Sequence, residues 1–206
     1  MPVSGELDNC FAPYTTGAYV RRVLIREERS TDHAAVRDVH REAFGAHSEM
    51  VVPLVDDLRG SLSSEPGLSL VALDDANDVV GHVLFTRSIL DAPRQLVDVQ
   101  VLSPLGVRPR AQRQGVGGEL IRHGIEVLAN AGVVAVFLEG DPGYYSRFGF
   151  SAAGDNGFRR PSLRIPKPGF QVRLLPAYAA WMTGTLVYRH EFWDYDAVGL
   201  RDPASS

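Results

Sequence analysis

Leu102-Ser-Pro-Leu-Gly-Val-Arg-Pro-Arg-Ala-Gln-Arg-Gln-Gly-Val-Gly-Gly-Glu-Leu-Ile121 decides how the rest of the chain is read. An apolar run ends at Val107, a basic turn follows, and Gly115, Gly117 and Gly118 lead into a helical pattern. Glycines at a strand-to-helix junction let the backbone turn tightly and approach a ligand closely. The first N–H groups of a helix have no partner inside it and carry the positive end of its dipole. The combination suits phosphate oxygens, and Arg108, Arg110 and Arg113 add formal positive charge to the same turn. Alone, this stretch reads as a pyrophosphate cradle.

Downstream, Leu120, Ile121, Gly124, Ile125, Leu128 and Ala131 give an amphipathic helix that stops at Gly132. Val133-Val-Ala-Val-Phe-Leu138 is a continuous apolar run of strand length, as expected of a central strand buried on both faces. Upstream, Gln95 to Leu102 alternates, with Val97, Val99 and Val101 on one side and Asp98 and Gln100 on the other. Pro104 cannot donate to a ladder, so a break or bulge is expected at Ser103-Pro104. Leu68–Leu73 and Val79–Arg87, joined by Asp74-Asp-Ala-Asn-Asp78, predict a β-hairpin.

Val23–Glu27 predicts a short strand. Ser30-Thr31-Asp32 offers capping oxygens to a helix through Phe44, and a second helix is expected over Glu49–Leu58 with Pro53 in its first turn or at a kink. After the apolar strand come a turn and one or two helical turns over Glu139–Phe150. A Gly- and Pro-rich excursion over Ser151–Gly169 follows, carrying Arg159, Arg160, Arg164 and Lys167. Phe170–Leu175 and Leu186–Phe192 read as a closing strand pair. Residues 1–20 lack periodicity and read as a flexible or peripherally docked leader, and 21–206 as one α/β domain.

The 206 residues suffice for one sizeable core. A net charge of −4 gives no general reason to expect nucleic-acid binding. The single cysteine, Cys10, excludes an intrachain disulfide and a Cys-rich zinc site. His33, His40 and His47 lack a carboxylate spacing that would complete a metal site, so no metal is expected. No apolar run approaches the ~20 residues of a membrane span, and no signal peptide is evident. A cytoplasmic setting is the default.

Three phosphate-binding patterns compete for the glycine turn. A Walker-type loop needs a lysine after its last glycine, and none follows here. A dinucleotide fingerprint needs a third glycine and the first strand of a βαβ unit. Gly115-Val-Gly-Gly-Glu-Leu lacks that glycine and sits mid-chain. The third pattern, Gln/Arg-x-x-Gly-x-Gly/Ala, is matched by Gln112-Arg-Gln-Gly115-Val-Gly117.

With these residues the chain resembles the GNAT superfamily of N-acetyltransferases. It is most similar to a bacterial subgroup carrying Gly-Asp-Pro-x-Tyr-Tyr-x-Arg-Phe-Gly-Phe, here Gly140–Phe150. The resemblance implies a mixed, mostly antiparallel central sheet splayed between strands 4 and 5 and flanked by helices. It implies acetyl-CoA as donor and a primary amine of a small molecule or peptide as acceptor. Many members pair as homodimers, so a homodimer is among the assemblies it allows. Leu105, Gly106 and Val107 would offer backbone hydrogen bonds to the pantetheine arm. Gln112, Arg113, Gln114, Gly115, Val116, Gly117 and Gly118 would hold the pyrophosphate, with side-chain help from Arg110 and Arg113.

Acetyl transfer asks for two proton movements, one off the attacking ammonium and one onto the departing thiolate. The resemblance assigns the second to Tyr145, whose phenol is protonated at neutral pH. Glu139, at the end of the apolar strand, or Asp98 would take the first, directly or through water. Tyr144 reads as a packing residue. Rival readings are an acetyl-CoA-binding module without catalysis and transfer from a longer acyl-CoA.

Overall fold

A computed structural model describes residues 23–199. The expected leader over residues 1–20 lies outside the described residues. The β-meander follows the sequence closely. β1 (Leu24–Glu27), β2 (Gly67–Leu73), β3 (Val79–Asp91) and β4 (Leu96–Val107) pair antiparallel in that order. The β2–β3 turn is tied by Asp74, whose carboxylate accepts the N–H groups of Ala76 and Asp78.

β4 meets β5 (Ala135–Glu139) in parallel, but only through Gln100↔Val136 and Val101↔Phe137. Beyond those pairs the strands part. Ser103 and Pro104 together stand opposite Leu84, between the Phe85↔Leu102 and Val83↔Leu105 pairs, which is the bulge expected at the proline. β5 keeps its other edge bonded to β8 (Phe170–Leu174), and β8 to β6 (Ser151–Ala152). The sheet order is β1-β2-β3-β4-β5-β8-β6. This is the expected GNAT-type mixed sheet, splayed between β4 and β5.

Helices cover both faces. α3 (Val116–Asn130) packs on one, and α1 (His33–Phe44) and α2 (Ser48–Ser61) on the other. The strands divide their side chains accordingly. Phe85, Val136 and Leu138 join the α3 cluster, while Leu84, Ala135 and Phe137 join the opposite one. That division explains why Val133–Leu138 lacks alternation: both faces of β5 are buried. At Gly124 the helix axis comes so close to the sheet that an added Cβ would lie 2.3 Å from the Phe85 ring.

Four local expectations need correction. Phe170–Leu174 and the last strand do not pair with each other. β9 (Gly184–Val187) bonds instead to the end of β3, through Ile89↔Val187 to Asp91↔Thr185, and to β7 (Phe158–Arg159). Each takes an edge left open elsewhere: β8 the free edge of β5, β9 the stretch of β3 beyond the Gly67↔Thr86 limit of β2. Second, Tyr188–Phe192 is not strand. Arg189 clamps Glu191 at 2.7 Å and the chain coils into α5 (His190–Asp194), burying Phe192.

Third, α2 starts at Ser48, one residue before the expected Glu49, so Pro53 lies beyond its first turn, where its missing N–H cannot bond the Glu49 carbonyl. Fourth, Asp32 does not cap α1. Its carboxylate accepts the Arg29 N–H at 2.7 Å and the Arg26 guanidinium at 2.6 and 3.0 Å.

Candidate active site

The turn between β4 and α3 is built by two left-handed residues, Arg113 (φ 60°) and Gly115 (φ 88°). Gln112 donates to the Val107 carbonyl at 2.9 Å, and Gln114 to that of Arg110 at 2.8 Å, so the side chains brace the loop from within. The first N–H groups of α3 then face a cavity of about 350 Å³ that includes Val107, Gln112, Arg113 and Gly115–Gly118. A Cβ on Gly117 would lie 2.8 Å from the Tyr144 hydroxyl, and one on Gly118 3.2 Å from the Phe148 ring. These two glycines let the helix end approach its aromatic wall.

That wall comes from α4 (Pro142–Tyr145) and the turn after it, started by Asp141 accepting the Gly143 N–H at 2.9 Å. Arg147 stacks on Tyr144 with its guanidinium carbon 4.7 Å from the ring centroid, and it lines the same cavity. Arg113 also lines it. Arg110 does not: it turns away to Asp78 at 3.3 Å and Asp74 at 3.6 Å. Arg122 lines the cavity too, paired with Glu119 at 2.6 Å, so the cradle cations are Arg113, Arg122 and Arg147.

Leu105, Gly106 and Val107 lie past the bulge, bonded to β3 on one edge and facing the gap with the other. The Leu105 and Val107 side chains reach toward Gly117, within 3.7 and 3.6 Å of where its Cβ would be. Gly106 faces the α1 side, where a Cβ would come 2.9 Å from His40 Nδ1.

His40 ends a buried chain of hydrogen bonds. Ser69 gives its one proton to Glu28 at 2.5 Å, so at 2.9 Å it can only accept, from His82 Nε2–H. His82 Nδ1 therefore accepts from His40 Nε2–H at 2.7 Å, leaving His40 Nδ1 a lone pair with no partner. Burial holds both imidazoles below their usual pKa and therefore neutral. Glu28 shows opposed effects: burial pushes its carboxyl up, but the His82 ring 3.6 Å away and the hydrogen bonds from Arg59 and Ser69 outweigh that and bring it to about 2.

On the opposite face a second cavity, of about 430 Å³, opens onto the same divergence. It is lined by Ser103 and Pro104 of β4, Glu139 and Gly140 at the end of β5, and residues of α1 and α2. Glu139 accepts the Gly199 N–H at 3.0 Å and the Tyr188 hydroxyl. Burial raises its carboxyl above the ordinary value, against the lowering effect of those bonds. Tyr145 is not among the residues that line either cavity. Its ring lies edge-on to Tyr144 at 4.9 Å and against Gly140, where a Cβ would be 2.4 Å away. Burial pushes its phenol up to about 12.

A family model described as an acetyltransferase (GNAT) domain matches residues 24–153. The chain belongs to the GNAT acetyltransferase family. It is 41% identical over 132 residues to the uncharacterised N-acetyltransferase YjhQ of Escherichia coli K12, covering 64% of this chain and 71% of that one. It is 34% identical over 177 residues to the uncharacterised N-acetyltransferase YhbS of the same strain, covering 82% and 98%. The crystal structure of Escherichia coli YhbS in complex with CoA superposes with a TM-score of 0.73 at 32% identity, over 84% of this chain and 92% of that one. A GNAT acetyltransferase from Brucella melitensis in complex with acetyl-CoA gives 0.66 at 31%, over 84% and 99%.

Several site residues of this GNAT domain stand differently from their sequence reading. Asp98 is exposed and paired with Arg87 at 2.6 Å, before the Gln100↔Val136 pair and so at the end of β4 away from the gap. Tyr144, read as packing, lines the cradle. Arg147 was not singled out, although its place three residues after Tyr144 is the signal that stacks it there. The basic excursion does not reach the cradle: Arg159 donates to Thr185, and Arg164 pairs with Asp196 on the wall of the second cavity. Among the described residues no three His, Cys, Asp or Glu converge as metal ligands, and no helix is long and apolar enough to cross a membrane.

Proposed function

We propose that the chain, as one transferase domain over residues 21–206 in the cytoplasm, transfers the acetyl group of acetyl-CoA to a primary amine by direct attack. The observation that carries this reading is the pair of cavities. A helix-N-terminal cradle opens beside Val107 at the end of β4, and a carboxylate-bearing cavity opens at Ser103, Pro104 and Glu139, where β4 and β5 part. The relatives crystallised with CoA and acetyl-CoA support the donor. The cradle also fits it, since the N-terminus of α3 lines a cavity of about 350 Å³ together with Arg113 and Arg147.

In this reading the backbone from Gln112 to Gly118 holds the pyrophosphate, and Leu105, Gly106 and Val107 hold the pantetheine arm along the free edge of β4. Acetyl-CoA supplies an activated acyl carbon. Glu139, its carboxyl raised by burial, takes a proton from the incoming ammonium. A backbone N–H of the β4 edge stabilises the oxyanion. As the C–N bond forms and the C–S bond breaks, Tyr145 gives its phenolic proton to the departing sulfur and regains one from the newly acylated nitrogen, so the products are an amide and a thiol. Holding both reactants across the gap lowers the barrier further. The Gly140–Phe150 motif, which carries Tyr144, Tyr145 and Arg147, supports placing the chain in the subgroup that shares it.

An acetyl-CoA binding isotherm run beside thiol release over a panel of amines tests the reading. Saturable binding with amine-dependent thiol release is expected. Binding without release on any amine would favour a sensing or interaction module, and stronger release from longer acyl-CoA would move the donor.

A further inference from the structure

The acceptor-side cavity is specific in what it lacks. None of the described residues lining it is Lys, Arg or His. Two carboxylates are present, and Asp196 is already engaged by Arg164 at 3.0 Å. Glu139 is left as the group for a cation: it accepts the Gly199 N–H and the Tyr188 hydroxyl, and the Arg164 charge that also acts on it is paired with Asp196. The far wall is apolar, formed by Phe44, Met50, Val51, Leu54 and Ile165. Ser103 is the remaining side chain there that can hydrogen-bond.

Resting on the transferase reading above, we propose that the acceptor is a hydrophobic primary monoamine that carries no carboxylate. Its nitrogen meets Glu139 and its apolar body lies against Phe44, Met50, Val51 and Leu54. The exclusions follow from the same inventory. A free amino acid would bring its carboxylate beside Glu139, where the nearest cation among the described residues, Arg164, is already paired with Asp196 at 3.0 Å, and an unpaired buried charge is strongly disfavoured. A polyamine would bring a second ammonium with Asp196 already paired. An aminoglycoside would bring many hydroxyls to a wall with few polar side chains, leaving them desolvated and unbonded. A compact ring or branched chain is what about 430 Å³ of mainly apolar space accommodates.

Four amines at fixed acetyl-CoA test this with the full chain: 2-phenylethylamine, phenylalanine amide, phenylalanine and spermidine. The first two share a ring and a single cation. Phenylalanine adds a carboxylate, and spermidine adds charge without a ring. The expected result is kcat/KM for 2-phenylethylamine and phenylalanine amide at least about tenfold above the other two. Met50→Arg, which puts a cation into the cavity, should raise KM for 2-phenylethylamine about tenfold and narrow the gap to phenylalanine. Phenylalanine or spermidine turned over as well as 2-phenylethylamine would overturn the substrate class while leaving the transferase standing. Acetyl-CoA binding with turnover of none of the four would overturn both.

Discussion

Lowering the pH from 6.5 to 5.5 should weaken the fold through two buried imidazoles, and the size of the effect can be worked out. His40 and His82 are both fully buried, and both are held below the ordinary value of 6.5, chiefly by burial. Around them stand Glu28, which raises both, and Arg59, which lowers both. Glu28, at about 2, stays ionised across this range. The unfolded chain takes up protons on these imidazoles from pH 6.5 downward, whereas the folded chain resists. The unfolded state then binds more protons, so stability falls as pH falls. Over that one unit an imidazole that stays neutral withdraws at most about 1 kcal/mol, and the pair at most about 2 kcal/mol. Glu139, with its carboxyl raised, acts with the opposite sign. The informative comparison is therefore between wild type and a His40→Gln/His82→Gln variant. Urea unfolding at pH 6.5 and 5.5 reads it: the wild-type midpoint should drop by at most about 0.7–2 M for a slope of about 1–3 kcal/mol/M, and the variant's should drop far less. Equal drops in the two proteins would refute the reasoning, whatever the variant's baseline stability.

The other predictions concern the cradle, the acid and the core. Gly117→Glu should weaken acetyl-CoA binding about a hundredfold or more by calorimetry, with the melting temperature little changed, because the new side chain displaces Tyr144 and fills the cradle. Arg147→Ala should weaken it about three- to tenfold and flatten its salt dependence, since a cradle-lining cation is lost. Tyr145→Phe should lower kcat about tenfold or more while donor affinity holds, and wild-type turnover would dismiss the acid role. Gly124→Ala pits a helix-propensity gain of about 1 kcal/mol against overpacking of about 1–3 kcal/mol. The Phe85 ring at 2.3 Å decides the sign, so urea unfolding should show a net loss.

What was legible in the sequence was local. The period-two runs of β2 to β4, the proline that bulges β4, the glycine turn and the helix after it are each written in a few consecutive residues. What was not legible depended on partners far along the chain. Leu186–Phe192 has the composition of a strand, but the Arg189–Glu191 clamp and the burial of Phe192 coil its second half. Its first half pairs with whichever edge is open, which the alternation of Phe170–Leu174 does not reveal. Asp98 shows the same limit at the site. Alternation correctly put it on the outer side, yet only the Gln100↔Val136 register tells that it lies at the wrong end of β4. Tyr144 and Tyr145 are neighbours in sequence, and about 100° of helical rotation sends one toward the cradle and the other toward Gly140.

The gap persists because neither strand beside it depends on the other. β4 keeps its bonds to β3 through the bulge, and β5 has β8 along its whole length. Two strands can therefore separate after two residue pairs without exposing a fully unbonded backbone. Their facing edges still carry N–H and C=O groups that need partners, and an extended, amide-bearing ligand can supply them. The proline, the only residue in β4 that cannot donate to a ladder, stands where the pairing with β5 has just ended. Past it, Gly106 offers no side chain toward α1, so His40 can close against the strand from behind. The buried imidazole chain thus backs the edge that faces the ligand, linking the stability of the core to the shape of the site.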